Sequence, residues 1–589
     1  MQTSSQTGAT REGAQIQGNN TSRDKRWDKV SVELLWVLFR EDSEAKASAE
    51  SLIPVNIDVH EHFDLNLLFD GESAISKARI TSHRYRADLT RAQIIELPSA
   101  LGLRAATLVE PLEFAADLAA SFCDLSGFKG RGKRSGAGTL IGIIDSGIDP
   151  AHPMFAHRVQ GVWDQTMPGV SGGFVPFGTW HPANQLGGVV DSVGHGTHVA
   201  GIAGGNDSDY PGVADQANFV IVKTTLDDSH VESGLRFLKK FHEDAKQPMV
   251  VNLSMQGHRD PHDGSGALCE AIDELSAPGF IVCCAAGNAG QELTHAEIVL
   301  LPGSGLSVGV AVNRTPLSRI EIKGWADSDA EISIDIVSPD GTLWQTAAYG
   351  DPAAAPVESH QMGGAQIDVV RPKPEPAFNG QVAFLVVFGP RPNESMVGEW
   401  QLKLFNEGAA PQRIDIWSPE KSGAVFDTRG GSDRVKIGAP GAAARAITVG
   451  ALVTRTAWQD QAGNSHHDPD NRRFHAAHFS SPGPLRSGSL KPDLLAPGVW
   501  ICSAKSRSYN DTRFLISALH CVMAGTSMAT PFVAGTIALM LEVEPELTPE
   551  DVKRRFRAIC SIPGFPLGTF HERWGFGFPD LPMLISPHV

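Results

Sequence analysis

The chain has 589 residues, too many for one ordinary hydrophobic core, so we expect two to four domains. Hydrophobic residues at 41% and charged residues at 20% are the balance of a soluble globular protein. The formal net charge of −17 argues against nucleic acid or an anionic membrane as a partner, and no apolar run approaches the ~20 residues that span a bilayer.

Residues 1–27 are polar and lack periodicity, so we predict a disordered N-terminus. They contain no apolar stretch typical of a secretory signal, and we expect none. The seven cysteines are an odd number scattered over a long chain, a pattern that does not indicate a disulfide framework. Together these features predict a reducing, cytoplasmic location.

Residues 28–125 are predicted to form a small α+β domain. The apolar run Val30–Phe39 is interpreted as a strand, and Ile80–Leu89 alternates like a second strand. A helix is predicted over Leu89–Leu97, with Thr90 as its N-cap. Residues 126–138 are rich in glycine, arginine, lysine and serine, which predicts a linker.

Strand and helix patterns alternate from Thr139 onward, which predicts an α/β domain with a doubly wound, mostly parallel sheet. The first strand is apolar throughout and ends at Asp145, as expected for a buried parallel strand. Open α/β sheets place their sites at the carboxyl ends of such strands. Asp145 is therefore a candidate site residue.

Two later stretches can complete a nucleophilic site. Gly194–Gly201 begins a helix of small residues with His195 at its start, and Ala524–Pro531 is a small-residue turn that places Ser527 at the start of an apolar helix. A serine hydroxyl is a poor nucleophile at neutral pH and needs a neighbouring base and a fixed position. The chain order Asp145, His195, Ser527 is one of the orders in which catalytic triads occur.

These motifs resemble the subtilisin-like serine proteases (subtilases) over most of Thr139–Gly290 and Ile437–Leu584. The resemblance implies that Ser527 attacks a scissile carbonyl while His195 takes its proton. Asp145 would orient and stabilise the imidazolium that forms. It also implies a polypeptide substrate and a mechanism that needs no cofactor.

Further site residues follow from the resemblance. An apolar strand ends in Ala-Ala-Gly-Asn at Asn288, whose amide the family pattern assigns as the oxyanion donor. The stretch Asn252–Gly257 matches the strand that pairs with the substrate backbone and walls the S1 pocket. The family usually has glycine where Gln256 stands, so the specificity of well-known members does not transfer. The substrate-binding residues implied in this way are Ser254, Met255, Gln256, Gly257, Ala285, Ala286 and Gly287.

Three features near these motifs have simpler interpretations. His198 follows His195 by three residues, and the family motif implies a structural role for it rather than a second catalytic one. The histidines and aspartates of 258–265 have a spacing that fits no standard metal site, so we expect no metal. Cys283 and Cys284 are expected to be core thiols on their strand.

Residues 301–434 have a different character, with short alternating strands and turn signals that predict an inserted β-sandwich. The catalytic domain would then comprise residues 139–300 and 435–589. Subtilases related to the clostridial germination proteases carry a jelly-roll insert at this point, and this segment resembles it. Two roles are open for the insert, which are rigidifying the protease and binding a partner.

The segment Ile80–Pro111 resembles the inhibitor-type propeptides of subtilases. This implies an intramolecular chaperone and inhibitor, with cleavage between Val109 and Gly138; the alternative is an accessory domain that packs on the side. We expect a serine endopeptidase regulated by its N-terminal domain. The alternatives are a zymogen released by a protein partner and a non-catalytic scaffold with the same fold.

Overall fold

A computed structural model describes residues 134–168, 175–314, 319–418, 422–427 and 431–579, with short pieces before them. Those pieces are residues 30–31, 34–35, 38, 52–59, 77–79, 84–97, 103–108 and 113–114. The predicted disordered N-terminus and most of the predicted linker lie outside the described residues. The chain divides into two compact units, residues 1–109 with 292–433 and residues 110–291 with 434–589.

An eight-stranded sheet organises the second unit, and all of its neighbouring strands run parallel except the last pair. The strand Leu140–Asp145 lies inside the sheet and every one of its residues is buried. Because side chains alternate between faces, Ile141 and Ile143 enter one apolar core while Leu140 and Ile144 enter the other. The predicted α/β sheet is therefore confirmed. In spatial order its strands are Leu494–Pro497, Ile447–Leu452, Phe280–Ala285, Met249–Leu253, Leu140–Asp145, Asn218–Lys223, Val159–Asp164 and Thr179–Pro182.

Helices and short strand pairs complete this unit. The helix Pro549–Ile559 begins with a capping box formed by Thr548 and Asp551. The α-helices are His195–Gly204, Asp228–Ala245, Ala267–Leu275, Thr526–Val543 and Pro549–Ile559, and Pro153–Phe155 and Thr512–Phe514 are single 3₁₀ turns. The short pairs are Glu113–Phe114 with Met255–Gln256, Ile501–Ala504 with His520–Met523, Ala457–Gln459 with Ser465–His467, and Cys560–Ser561 with Phe578–Pro579.

One helix in the described part of the chain, Thr526–Val543, has the length and apolarity of a membrane-crossing segment. Its 18-residue window has a mean hydropathy of 1.3, but 89% of that window is buried inside the protein. A helix that is apolar all round and enclosed by protein is a core helix. It carries Ser527 at its N-terminal end, so the core fixes the position of that residue.

Two antiparallel sheets in the first unit share one apolar core, to which Phe384 and Leu402 contribute from opposite sheets. The strand His295–Leu300 belongs here, whereas the predicted boundary at 301 assigned it to the catalytic domain; the jelly-roll connectivity stays a prediction. The seven-stranded sheet contains Val357–Met362, Ala365–Glu375 (followed by the 3₁₀ turn Pro376–Phe378), Gln381–Pro390, Ile320–Ala326, Gln412–Trp417, His295–Leu300 and Gly431–Ser432. The five-stranded sheet contains Leu343–Gln345, Ile332–Val337, Gly398–Asn406, Gly305–Val312 and Ala424–Phe426.

The N-terminal residues of the first unit form a four-stranded sheet. The predicted helix is present as Arg91–Glu96, with a capping box between Thr90 and Gln93. The predicted strand at Val30–Phe39 is wrong, because Leu34, Leu35 and Leu38 are helical and buried. Leu35 and Leu38 follow Leu34 by one and four residues, so the three side chains share one face of a helix. A short apolar run has the same composition whether it forms a helix or a strand, so composition alone does not distinguish the two. The strands are, in spatial order, Lys77–Arg79, Arg84–Leu89, Ile53–Val59 and Leu103–Leu108.

Candidate active site

The carboxylate of Asp145 and the imidazole of His195 form a buried pair. Asp145 ends the central strand Leu140–Asp145, and His195 is the first residue of the helix His195–Gly204. Nδ1 of His195 lies 2.8 Å from Oδ1 and 3.0 Å from Oδ2 of Asp145. A histidine whose Nδ1–H donates to a carboxylate keeps Nε2 as its basic atom. The structure therefore brings these two predicted residues together in the arrangement of an oriented general base.

The close approach of the helix to the strand depends on Gly196. A Cβ atom added there would lie 2.2 Å from the carbonyl oxygen of Gly147 and 3.0 Å from Oδ1 of Asp145. No side chain larger than hydrogen fits at those distances, so the glycine next to His195 is required by packing. The small-residue pattern of this helix is thus a steric condition for the histidine–aspartate contact.

Asp191 holds the loop that delivers His195, although sequence analysis did not single it out. Its Oδ1 accepts from the hydroxyl of Ser146 at 2.9 Å and from the N–H of Gly194 at 2.8 Å. Its Oδ2 accepts from the N–H and hydroxyl of Thr197 at 2.9 and 2.7 Å. This fully buried carboxylate ties the strand end to the first turn of the helix. No local motif marks it, because its partners come from both sides of the histidine.

Ser527 lies at the N-terminus of the buried helix Thr526–Val543. Its Oγ donates to the carbonyl oxygen of Ser254 at 3.2 Å, and the hydroxyl of Ser254 donates to the carbonyl oxygen of Ser527 at 3.0 Å. These reciprocal bonds join residues 273 positions apart. They dock the candidate nucleophile against the strand that sequence analysis assigned to the substrate. The helix start also favours negative charge developing there.

The side chain of Asn288 is oriented by Thr526, the residue before the candidate nucleophile. Oδ1 of Asn288 accepts from the backbone N–H and from the hydroxyl of Thr526, both at 3.0 Å. Two donors on Oδ1 identify the oxygen end of the carboxamide and direct Nδ2 away from Thr526. The hydroxyl of Thr526 in turn accepts from the N–H of Gly287 at 3.2 Å. The carboxamide of Asn288 is therefore held in one orientation, as an oxyanion donor needs.

The oxyanion loop, Gly287–Gly290, is fixed along its backbone. Ser481 donates its N–H to the first carbonyl of the loop at 2.9 Å and accepts from the N–H of Ala289 at 3.0 Å. Nζ of the fully buried Lys436 donates to the carbonyl of Ala289 at 3.2 Å, and Nη2 of Arg573 donates to the last carbonyl at 2.9 Å. Hydrogen bonds from charged donors are stronger than neutral ones, so the loop is rigid.

The predicted substrate-binding residues line this region from two strands. The pair Met255–Gln256 is hydrogen-bonded on one side to Glu113–Phe114, in antiparallel register, with Met255 opposite Phe114. This strand is thus paired with an extended segment of the chain itself. Ser254 and Gly257 flank this pair, Ala285 ends the strand Phe280–Ala285, and Ala286 and Gly287 follow that strand. Those that are buried are Ser254, Met255, Gln256, Ala285, Ala286 and Gly287, and Gly257 is half-buried.

His198 has a structural environment. Its Nε2 lies 3.1 Å from the carbonyl oxygen of Ile501, and burial lowers its pKa to about 3. A histidine with such a pKa stays neutral through the range in which a general base works. Cys283 and Cys284 are buried free thiols on their strand, and burial raises the pKa of Cys284 to about 12. Neither thiol is poised to act as a nucleophile.

The stretch 258–265, which contains histidines and aspartates, packs within the second unit. The rings of His258 and His262 stack with centroids 5.2 Å apart, and His262 is completely buried. Among the residues that the structure describes, no group of three or more histidine, cysteine, aspartate or glutamate side chains is arranged to hold a metal ion.

Comparisons with known proteins identify the family of the chain. The profile of the subtilase family (Peptidase_S8) matches residues 136–366 and 415–558, which is more than half of the chain. The serine protease AprX of Bacillus subtilis (strain 168) is 40% identical over 143 residues, and that match spans 24% of this chain and 30% of AprX. The major intracellular serine protease of the same bacterium is 25% identical over 263 residues, or 43% of this chain and 74% of that protein.

The solved structure of the Clostridium perfringens CspB protease superposes with a TM-score of 0.63 at 23% identity, covering 81% of this chain and 98% of that chain. This likeness concerns the fold. The match to AprX extends over less than a third of that protein.

Proposed function

Because this chain belongs to the subtilase family, we propose that it is a serine endopeptidase that hydrolyses peptide bonds through an acyl-enzyme. Asp145, His195 and Ser527 are its triad. The observation that carries the proposal is the fully buried pair between Asp145 and Nδ1 of His195 at 2.8 Å. An imidazole whose Nδ1 is held by a carboxylate at the end of a central strand is oriented as the base that a serine nucleophile requires.

The chemistry proceeds in two halves. Oγ of Ser527 bonds to the scissile carbonyl carbon while Nε2 of His195 takes the hydroxyl proton. His195 then gives that proton to the amide nitrogen as the carbon–nitrogen bond breaks, and the amine product leaves. A water molecule attacks the acyl-enzyme by the same route, which releases a carboxylic acid and restores Ser527. Asp145 stabilises the imidazolium in both halves.

Charge on the carbonyl oxygen is stabilised by groups that are already oriented. Nδ2 of Asn288 is aimed by the two bonds from Thr526 to Oδ1, and the N-terminal turn of the helix Thr526–Val543 contributes backbone N–H groups. Because these donors are held before the substrate arrives, little reorganisation opposes the reaction. A single donor of this kind contributes about 3–4 kcal/mol to transition-state stabilisation.

We further propose that the N-terminal region restrains the enzyme as an inhibitor and is removed by cleavage. In support, Glu113–Phe114 pairs with Met255–Gln256, the strand on which a substrate backbone would lie. A chain segment bound there competes with substrate. The second candidate function is a latent zymogen, which becomes active only after cleavage or through a protein partner. The same pairing favours this candidate. A cytoplasmic location is proposed as well, because the six described cysteines are all free and buried.

The test combines fluorophosphonate labelling with intact-mass measurement on the wild type, on Ser527→Ala and on Ser487→Ala. Ser487 is an exposed serine that bonds only locally to Ser489 in the described structure, so it serves as the matched control. We expect labelling and loss of an N-terminal fragment in the wild type and the control, and neither in Ser527→Ala. Labelling without loss of mass would keep the endopeptidase and reject removal by self-cleavage. A wild type that neither labels nor hydrolyses casein would reject the proposed activity.

A further inference from the structure

The register of the paired segment shows how a peptide meets the nucleophile. Met255 lies opposite Phe114 and Gln256 lies opposite Glu113, in antiparallel order. Ser254 precedes Met255, and its carbonyl oxygen is 3.2 Å from Oγ of Ser527. An extended peptide in this register therefore presents to the nucleophile the residue that comes opposite Ser254. The side chain of that residue, on the acyl side of the scissile bond, must lie between the substrate strand and the oxyanion loop.

Gln256 occupies the space between these two walls. Its Oε1 accepts from the N–H of Asn288 at 3.0 Å, so its carboxamide reaches across from the substrate strand to the oxyanion loop. A Cβ atom added to Gly287 would lie 1.6 Å from the same oxygen and 2.8 Å from Oγ of Ser481. Gln256 itself is only 3% exposed. The carboxamide of Gln256 therefore fills the space directly against the Cα of Gly287.

We propose that Gln256 closes the acyl-side subsite, so that the enzyme cuts after alanine, glycine or serine and rejects aromatic and branched residues. This rests on the proposed endopeptidase function and determines its substrate class. A glutamine side chain that is hydrogen-bonded to the oxyanion loop cannot withdraw without leaving a buried N–H without its acceptor. A large acyl-side residue must displace it, whereas a methyl group need not.

The chain's own sequence agrees with this specificity. Phe114 is followed by Ala115 and Ala116. In the sequence Ala115 is the residue directly after Phe114 and has a small side chain, so the proposal assigns the bond between Ala115 and Ala116 as the site of self-cleavage. Hydrolysis there consumes one water, leaving a carboxylate on Ala115 and an amino group on Ala116. This narrows the interval expected from sequence, 109–138, to one bond.

The test measures kcat/KM on peptides that differ only at the acyl-side residue, with alanine, leucine or phenylalanine there. The proteins are the wild type, Gln256→Gly and Gln165→Ala, each normalised by fluorophosphonate titration. Gln165 is a buried glutamine that donates to the carbonyl of His230 and lies outside the triad, oxyanion loop and substrate strand, so it is the matched control. We expect the wild type and the control to prefer alanine over phenylalanine by about 100-fold. Gln256→Gly should raise kcat/KM for phenylalanine about tenfold or more without raising that for alanine.

Separate outcomes identify which idea fails. A titrated wild type that cuts after phenylalanine as fast as after alanine overturns the subsite proposal and leaves the endopeptidase intact. Should Gln256→Gly not fold, the wild-type preference alone decides. Mass and N-terminal sequencing of the processed chain should give Ala116 as its first residue, and a cut after a large residue contradicts the proposal. A wild type that no fluorophosphonate labels removes the proposed function and this inference with it.

Discussion

Replacing Thr526 by valine tests how Asn288 is oriented. The hydroxyl of Thr526 donates to Oδ1 of Asn288 at 3.0 Å and accepts from the N–H of Gly287 at 3.2 Å. Valine has nearly the same shape and keeps the backbone N–H that also bonds to Oδ1. The substitution therefore removes one of two bonds that hold the carboxamide and leaves one loop N–H without its acceptor.

Both losses can be given a magnitude. A buried donor without its partner costs about 1–3 kcal/mol of stability. An intact oxyanion donor contributes about 3–4 kcal/mol to transition-state stabilisation. Removing one of the two hydrogen bonds that orient the donor should lose about half of that stabilisation. We expect kcat to fall about 10- to 50-fold. KM should stay unchanged, because Asn288 acts on charge that develops only during the reaction.

The assay is steady-state hydrolysis of one peptide by the wild type, Thr526→Val and Thr526→Ser, with active sites counted by fluorophosphonate titration. Serine keeps the hydroxyl, so Thr526→Ser should retain kcat within about threefold. Two results would refute the reasoning. One is a valine variant with wild-type kcat. The other is a serine variant as slow as valine, which would indicate that the lost methyl group rather than the hydrogen bond matters.

Three further predictions concern charged and titrating groups. Asp145→Asn should lower kcat by about 10⁴-fold with little change in stability, because the amide no longer holds His195 in its tautomer; a loss under tenfold in peptide hydrolysis would contradict this. Burial lowers the pKa of His198 to about 3, so folding stability is full above pH ~6.5 and falls as the unfolded chain takes up a proton. Between pH 6.5 and 5 the wild type should lose about 2 kcal/mol of unfolding free energy that His198→Gln does not lose, and equal slopes in guanidinium titrations would exclude this. Asp415→Ala should destabilise the first unit by about 3–5 kcal/mol in calorimetry, because the buried imidazole of His295, whose Nε2 lies 3.0 Å from the carboxylate, would lose its hydrogen-bond partner. A loss of stability under about 1 kcal/mol would contradict this prediction.

The main α/β sheet and the candidate triad could be read from sequence because their signals are local. The apolar run before Asp145 predicts a buried parallel strand, and that strand places the carboxylate at the edge where sites form. Small residues around His195 and Ser527 likewise predict helix starts. Short apolar segments carry less information, and Val30–Phe39 was assigned to a strand although Leu34, Leu35 and Leu38 are helical.

The tertiary structure alone decided how these residues are held. Asp191 has no motif, yet it joins the strand end to the histidine helix. The sequence showed that Gln256 stands where the family usually has glycine. It did not show that the side chain of Gln256 accepts a hydrogen bond from the N–H of Asn288. Such contacts join residues tens to hundreds of positions apart, and the alignment of strands across the sheet sets them. Local conformational preference specifies where a strand or helix begins; only the packing of those elements specifies which side chains meet.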